Sequence, residues 1–220
     1  MPPTRHAYLQ EMVSLVTEDS PAAVCLQELP VWSLRHLPRW SGMHVVADAA
    51  RRPRLPAPFD RYATALNNGF FRSLFAGQAN AILLRHDLEV IDRSVFTLNE
   101  GGVLGIGAGE PRICQIVRLR GLVLANLHAS KSPEHAAQQA ERAAAHVLDL
   151  AGGDEPIVLA GDFNVTPDLR HHGFSEGGPA IDHILVRGGS PGPLDVWPRE
   201  RRTLNGMLLS DHAPVERSLQ

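Results

Sequence analysis

Short apolar runs separated by polar turns fill most of the chain, a pattern typical of a strand-rich domain. The runs predict strands at residues 22–29, 42–47, 78–85, 88–98, 112–119, 122–128, 156–160, 181–186 and 207–209. His86–Asp87 and Arg120–Gly121 each separate two consecutive runs, so they predict tight turns between antiparallel neighbours.

Two segments have the helical period instead. Residues 7–17 place Leu9, Met12, Val13 and Val16 on one face. Ser132 is a suitable N-cap and Pro133 a suitable first residue for a second helix, which Gly152–Gly153 would end. One helix near the start and one in the middle of many strands predict stacked layers of sheet and helix, without a regular βαβ alternation.

The composition is that of an ordinary globular protein. The chain has 220 residues, no internal repeat and no linker long enough to divide it, so a single domain over residues 1–220 is expected. The net charge of −3 and the presence of one lysine argue against binding nucleic acid by bulk charge. Arginines can hold phosphate locally, but the clusters Arg51–Arg52–Arg54 and Arg199–Arg201–Arg202 are interpreted as solvated loop charges.

The chain carries little information about its cellular location. No apolar run approaches membrane-spanning length, and the first ten residues lack the apolar core of a signal peptide. Cys25 and Cys114 lie in apolar runs, which predicts buried reduced thiols. A cytoplasmic location is therefore expected, and the oligomeric state is not indicated.

Polar clusters follow or interrupt five of the predicted strands, and each contains a carboxylate or an imidazole. The clusters are Gln27–Glu28, Asn126 with His128, Asp162 with Asn164, Asp182–His183, and Ser210–Asp211–His212. One such cluster could be a turn, but five are better explained by a site, because strand ends on a rigid scaffold are where sites are usually built.

The side chains in these clusters suit a hard divalent cation. Glu28, Asp162, Asp211 and Asn164 offer oxygen ligands of the kind that Mg²⁺ and Mn²⁺ prefer. No Cys/His pair has zinc spacing and the sequence contains no HExxH, so zinc is disfavoured. The sequence also contains no Walker loop, GxSxG elbow or dinucleotide fingerprint.

Five short motifs resemble those of the endonuclease/exonuclease/phosphatase superfamily, which includes deoxyribonuclease I. In chain order they are QE after a strand, NLH, GDFN, IDHI and SDH. The resemblance extends from about Val24 to Pro214, and GDFN with a downstream SDHAPV is its most specific part. It implies an α/β, four-layer sandwich of two mostly antiparallel or mixed sheets flanked by helices. It also implies hydrolysis of phosphate esters with Mg²⁺ or Mn²⁺.

The resemblance assigns catalytic roles to five residues. Asp162 matches the aspartate that orients or deprotonates the attacking water. His212 matches the histidine that contacts the scissile phosphate or transfers a proton, and Asp182 matches its orienting partner. Asn164 and His128 match residues that contact phosphate oxygens.

Five further residues match positions around that centre. Glu28 matches the principal metal-binding glutamate, and Asp211 matches a second carboxylate near the metal. Asn80 resembles an asparagine beside the site, while Asn126 and Ser210 are expected to support their neighbours.

Other polar residues are assigned structural roles. His183 should lie on the opposite side of its strand from Asp182, and His171–His172 are interpreted as loop residues. The family usually opens with an additional strand that carries an asparagine, and residues 1–6 contain neither. Either the chain is truncated at its start, which we favour, or it is a degenerate member.

Substrate and activity stay open at the level of the sequence. Nucleic acid, a lipid headgroup or a small phosphodiester are each compatible with the motifs. A phosphodiesterase or nuclease is the expected activity. The alternative is a non-catalytic phosphate-binding or interaction module with the same fold.

Overall fold

A computed structural model describes residues 8–51, 77–99, 111–178 and 180–219. The chain divides into two compact units, Met1–Asp87 and Leu88–Gln220. Among the described helices, none combines the length and the apolar character that a bilayer-spanning segment requires. Arg52, Arg54 and the first six residues, all considered in the sequence analysis, lie outside the described residues.

In the residues that the structure describes, the first unit contains three strands and two α-helices. They are α1 (Leu9–Thr17), β1 (Ala23–Leu29), a 3-10 helix (Val31–His36), α2 (Leu37–Ser41), β2 (His44–Arg51) and β3 (Gln78–Leu84). The strands form an antiparallel sheet in the order β1-β3-β2. The central strand β3 is buried along its whole length, as its apolar sequence requires.

Both helices of this unit contribute to its apolar core. Val13 of α1 and Leu37 of α2 belong to one buried cluster with Leu29 of β1 and Leu83 of β3. The predicted helix at residues 7–17 is therefore confirmed, and its apolar stripe faces the core. The short helix α2 is not indicated by the sequence period, because it has only five residues.

The described part of the second unit contains nine strands and one long helix. They are β4 (Val90–Thr97), β5 (Ile113–Leu119), β6 (Leu122–His128), α3 (Pro133–Leu150), β7 (Ile157–Asp162), β8 (Asp182–Arg187), β9 (Pro191–Val196), β10 (Thr203–Leu204), β11 (Met207–Leu208) and β12 (Val215–Leu219), with 3-10 helices at Arg170–His172 and Glu200–Arg202.

Five of these strands form one mixed sheet in the order β4-β5-β6-β7-β8. Strands β6 and β7 are parallel, and the other neighbouring pairs are antiparallel. A parallel pair needs a crossover, which α3 supplies. Consequently β6 and β7 end, and β8 begins, at the same edge of the sheet.

Helix α3 buries a stripe of small residues in the core of the second unit. Ala136, Ala140, Ala143, Ala144 and Val147 are all fully buried. Ser132 is the N-cap residue, as predicted, but its side chain forms no capping hydrogen bond. Its carbonyl oxygen instead accepts the first helical bond from the Ala136 amide at 2.8 Å.

The strand pattern missed β9 and β12, which pair with each other in a separate two-stranded sheet. Both strands are largely exposed and contain Pro, Gly or charged residues, so they lack the apolar runs by which the other strands were found. Cys114 is buried as expected, whereas Cys25 is only partly buried, and no disulfide joins the two.

Candidate functional site

A row of three polar residues crosses the edge of the mixed sheet. His128 at the end of β6 is the register partner of Asp162 at the end of β7, and Asp162 is the partner of Asp182 at the start of β8. Cross-strand partners point to the same face of a sheet. Three residues that are far apart in sequence are therefore neighbours on one face.

Gly161, directly before Asp162, pairs with Leu127 of β6 and His183 of β8. Its lack of a side chain matters for the packing of β6 against β7. A Cβ atom at Gly161 would overlap the carbonyl oxygen of Leu127, and the φ of Gly161 is +137°. Only glycine permits this backbone conformation and this close approach of β6 and β7. The glycine of GDFN therefore brings the strand ends that carry His128 and Asp162 close together.

His212 joins this row from a distant loop. Its Nδ1 atom lies 2.9 Å from Oδ2 of Asp182. The hydrogen bond with Asp182 raises the pKa of His212 to about 9, against an opposing effect of burial; the charges of Asp182, Asp162 and Asp211 also raise the pKa. The imidazole is therefore a cation at neutral pH.

Asp162 is only 7% exposed and lies between the two histidines. Its Oδ1 atom accepts a hydrogen bond from the backbone amide of Asn164 at 2.9 Å, and its Oδ2 atom lies 3.6 Å from Nε2 of His128. One ligand atom from each of Asp162, Asp182 and His212 lies within 4.8 Å of the others. A buried carboxylate beside an imidazolium can accept a proton from, or orient, a bound water.

His128 has the opposite electrostatic character from His212. Burial, followed by the charges of Arg112, Lys131 and His212, lowers the pKa of His128 to about 3. Nη1 of Arg112 lies 2.7 Å from Nδ1 and 2.6 Å from Nε2 of the ring. A guanidinium this close to both ring nitrogens places a positive charge against the imidazole and disfavours its protonated form. Both observations indicate a neutral imidazole with one N–H to donate.

Asn164 connects the loops that follow β6 and β7. Its Nδ2 atom donates a hydrogen bond to the carbonyl oxygen of Ala129 at 3.1 Å. Its φ of 53° is in the left-handed region, which is uncommon for a residue other than glycine. Asparagine adopts this region more readily than most other residues, and the phosphate-contact role of Asn164 stays a prediction.

The loop that carries His212 is held by Arg202. Nη1 of Arg202 donates hydrogen bonds to the carbonyl oxygens of Ser210, Asp211 and His212 at 2.9, 3.3 and 3.1 Å. The Oγ atom of Ser210 accepts a hydrogen bond from the His212 amide at 3.2 Å. Ser210 thus supports His212 locally, and Asp211 is exposed beside it.

The interpretation of the second arginine cluster as solvated loop charges is wrong for two of its members. Arg202 holds the loop just described. Arg201 lies over the ring of Trp197, 3.5 Å from its centroid, and pairs with Glu216. Charge runs alone do not reveal such contacts, because the partners lie in other segments of the chain.

Asn126 precedes His128 by two residues on β6, so it lies on the same face. It is fully buried, and its Nδ2 atom donates to Oε1 of Gln115 at 3.2 Å. His183 is also buried, on the opposite face, where Nδ1 accepts from the Gly178 amide and Nε2 lies 3.1 Å from the Val165 carbonyl oxygen. The structural role predicted for His183 agrees with these contacts.

Glu28 and Asn80 belong to the first unit. Glu28 lies at an irregularity in the pairing of β1 with β3, and its φ is 56°. Nε2 of Gln78 donates to Oε1 of Glu28 at 3.4 Å, and Asn80 is buried two residues further along β3. A left-handed backbone is uncommon for a glutamate, so Glu28 is a strained position at a predicted site residue. The metal-binding role of Glu28 and the role of Asn80 stay predictions.

The sequence analysis missed Arg112 and Gln115 and misassigned Arg202. Arg112 directly precedes β5, and the hairpin of β5 and β6 pairs Cys114 with Leu127. This register places Arg112 near the end of β6, but it does not predict the contact with His128, because successive side chains of a strand point to opposite faces.

Comparisons with known proteins identify the fold. Residues 3–212 match the model of the Endonuclease/Exonuclease/phosphatase family. No curated protein matches the chain. An endonuclease/exonuclease/phosphatase from Bacteroides vulgatus is similar in structure, with a TM-score of 0.70, 18% identity, and coverage of 97% of this chain and 90% of that one.

Two further solved structures are similar. The mannosyl-6-phosphatase Bt3783 of Bacteroides thetaiotaomicron VPI-5482 has a TM-score of 0.65 and 18% identity, over 96% of this chain and 90% of that one. A D. rerio TDP2 humanized by 14 mutations has a TM-score of 0.67 and 14% identity, over 97% and 91%. These likenesses confirm the predicted α/β fold, in which mixed sheets are flanked by helices.

Proposed function

Because the chain belongs to the endonuclease/exonuclease/phosphatase family, whose members are generally phosphoester hydrolases, we propose that it hydrolyses phosphate esters with the help of a divalent cation. Phosphodiesters are the proposed preference. The observation that carries the proposal is the row of His128, Asp162 and Asp182, with His212 hydrogen-bonded to the last of them.

The row supplies groups with separate tasks. Phosphoryl transfer to water needs a positioned nucleophile and stabilisation of negative charge on the phosphoryl oxygens. Asp162 accepts the hydrogen bond, and then the proton, of the attacking water. The cationic imidazole of His212, oriented by Asp182, faces the developing negative charge. The N–H groups of His128 and Asn164 donate hydrogen bonds to phosphoryl oxygens.

The two histidines suit these tasks because their pKa values are moved in opposite directions. His212 is protonated at neutral pH through its bond to Asp182. His128 stays neutral because it is buried beside Arg112. The site thus contains one cationic imidazole, His212, and one neutral imidazole that can donate a hydrogen bond, His128. Their different surroundings give the same residue type two different roles.

The donors around Asp162 fit a hard divalent cation. Asp162 and Asp182 place carboxylate oxygens close together, and Asp211 is exposed beside His212. Oxygen donors of this kind favour Mg²⁺ or Mn²⁺. By resemblance, Glu28 and Asp211 would hold the ion. When bound, the cation would polarise the phosphoryl group and lower the pKa of a bound water.

The similar solved structures agree with the proposed class of reaction but do not identify a substrate. One similar protein is named as a mannosyl-6-phosphatase. That activity belongs to that protein, and an identity of 18% transfers only the fold. A nucleic acid, a lipid headgroup and a small phosphodiester remain the proposed substrate classes, and a cytoplasmic location remains a prediction.

Turnover of bis-p-nitrophenyl phosphate and p-nitrophenyl phosphate, with Mg²⁺ or Mn²⁺ and with a chelator, tests the proposal. Hydrolysis of the diester that stops on chelation and returns with the ion is expected. Preferential hydrolysis of the monoester would reassign the substrate class. No hydrolysis of either compound at any ion concentration would favour the non-catalytic binding module.

A further inference from the structure

A second group of metal-binding side chains lies outside the residues of the proposed site. Glu141 is on α3, and His171 and His172 are in the 3-10 helix Arg170–His172. One ligand atom from each of the three lies within 4.8 Å of the others. The sequence gives no hint of this group, because about 30 residues separate the glutamate from the histidines.

The geometry points to a binding site for a transition-metal ion, and we propose that Glu141, His171 and His172 bind Zn²⁺. Nε2 of His171 and Nε2 of His172 lie 3.2 and 2.9 Å from the same oxygen, Oε2 of Glu141. Ligands of a tetrahedral Zn²⁺, with bonds of about 2.0–2.1 Å, are separated by about 3.3 Å. The observed spacing thus needs only small side-chain adjustments to hold the ion.

The ligand types select the metal. Two imidazoles and one carboxylate are a ligand set used by zinc, with water in the fourth position. Mg²⁺ prefers an octahedron of oxygens, so it competes poorly for two imidazoles. The three side chains are 58%, 25% and 44% exposed for His171, His172 and Glu141, so the ion and its water have access from solvent.

Both elements that supply the ligands are anchored. Helix α3 presents Glu141 while its other face is buried among the alanines described above. The 3-10 helix is flanked by Leu169 and Phe174, which are both in the core of the same unit. The amide of His172 donates to the Leu169 carbonyl oxygen at 3.0 Å. Ligands on anchored elements lose little freedom on binding, so the site is preorganised.

The surrounding charges are compatible with a cation. Two arginines are adjacent to the ligands in the sequence, Arg142 after Glu141 and Arg170 before His171. The guanidinium of Arg170 is paired with Asp168 at 2.8 Å and lies 3.7 Å from Glu176. With the carboxylate of Glu141, the two cations and three anions carry a net negative charge. Bound Zn²⁺ would connect α3 to the 3-10 helix, so we expect it to stabilise the second unit.

Calorimetric titration of the tag-free full-length protein with Zn²⁺, in saturating Mg²⁺, tests the proposal. The variants His171→Ala, His172→Ala and Glu141→Ala are compared with His135→Ala, an exposed histidine of the same helix. His212→Ala reports any binding at the other site. Circular dichroism confirms that each variant folds.

We expect one equivalent of Zn²⁺ whose Kd rises at least about tenfold in each cluster variant, since even loss of a supporting partner costs that much. The same equivalent should persist in His135→Ala and His212→Ala, and Zn²⁺ should raise Tm only where the cluster is intact. Co²⁺ in its place should give the visible absorption of tetrahedral coordination.

Unchanged Zn²⁺ binding in the double variant His171→Ala/His172→Ala would overturn the proposal, as would the absence of binding to the unmodified chain. Loss of the equivalent in His212→Ala alone would assign the ion to the other site. Hydrolysis with Mg²⁺ is measured separately, so failure of this proposal leaves the proposed hydrolase activity unaffected.

Discussion

Nδ1 of His212 lies 2.9 Å from Oδ2 of Asp182, although 30 residues separate them in the sequence. The two residues come from different elements: Asp182 begins β8, and His212 lies in a loop held by Arg202. The pair provides a cationic imidazole next to Asp162.

The first prediction concerns the titration of His212. Asp182→Asn should lower the pKa of His212 from about 9 towards its ordinary value, because the bond with Asp182 is the largest cause of the shift. Asp211→Asn, which removes only a nearby charge, should have a smaller effect. NMR titration of the histidine resonances, with a chelator present, measures the pKa of His212 in each variant. A wild-type midpoint near 6.5 would contradict the account.

The same shift predicts a pH dependence of stability. The pKa of His212 is higher in the folded chain than the value of about 6.5 in the unfolded chain. Its stabilising contribution is therefore complete below about pH 6.5 and is lost as the pH rises through about 9. The difference in unfolding free energy between wild type and Asp182→Asn should shrink over that range, as measured by denaturant unfolding at several pH values.

His128 should behave in the opposite way. Its pKa of about 3 keeps the ring neutral across the range in which proteins are usually studied. Arg112→Gln should raise this pKa, because the charge of Arg112 is the second largest cause of the shift. Burial, the largest cause, should still hold it below about 6.5. A midpoint for His128 between about pH 6 and 8 in the wild type would contradict this.

Gly161 gives a test of the close approach between β6 and β7. Gly161→Ala should destabilise the chain by more than about 3 kcal/mol, because the new Cβ would overlap the backbone of Leu127. Gly121→Ala is the matched control. Gly121 also has a positive φ, of +80°, but no atom lies within 4 Å of its added Cβ. It should cost about 1 kcal/mol in denaturant unfolding, and equal losses would refute the steric account.

Arg202 should affect turnover without contacting substrate. Arg202→Gln removes the donor to three carbonyl oxygens of the loop around His212, so we expect about a tenfold loss in kcat from misplacement of the imidazole. Arg201→Gln changes the adjacent arginine, which contacts Trp197 and Glu216 instead. Its kcat should stay near wild type. A larger loss in Arg201→Gln than in Arg202→Gln would exclude this positioning role.

Much of the second unit could be predicted from the sequence, because apolar runs and turn residues mark β5, β6, β7 and α3 clearly. The polar residues at the ends of these strands also indicated a site. Their arrangement in one row follows from the parallel pairing of β6 with β7. The edge strands β9 and β12 could not be found, since exposed strands need no apolar alternation.

The supporting residues were harder to predict than the residues they support. Arg202 acts through backbone carbonyl groups eight to ten positions away, and a carbonyl group leaves no trace in the amino-acid sequence. The hairpin register places Arg112 near the end of β6 but does not reveal its contact with His128. The zinc ligands proposed here meet only because α3 and the 3-10 helix pack on one core.

The most direct test of the central claim is the turnover of bis-p-nitrophenyl phosphate by Asp162→Asn in saturating Mg²⁺. Asparagine keeps the shape of aspartate but cannot accept the proton of the water, so kcat should fall by about 10²–10⁴-fold. Asp168→Asn, an exposed aspartate paired with Arg170, is the control and should match the wild type. Full turnover by Asp162→Asn would contradict the proposed role of this site in phosphate-ester hydrolysis.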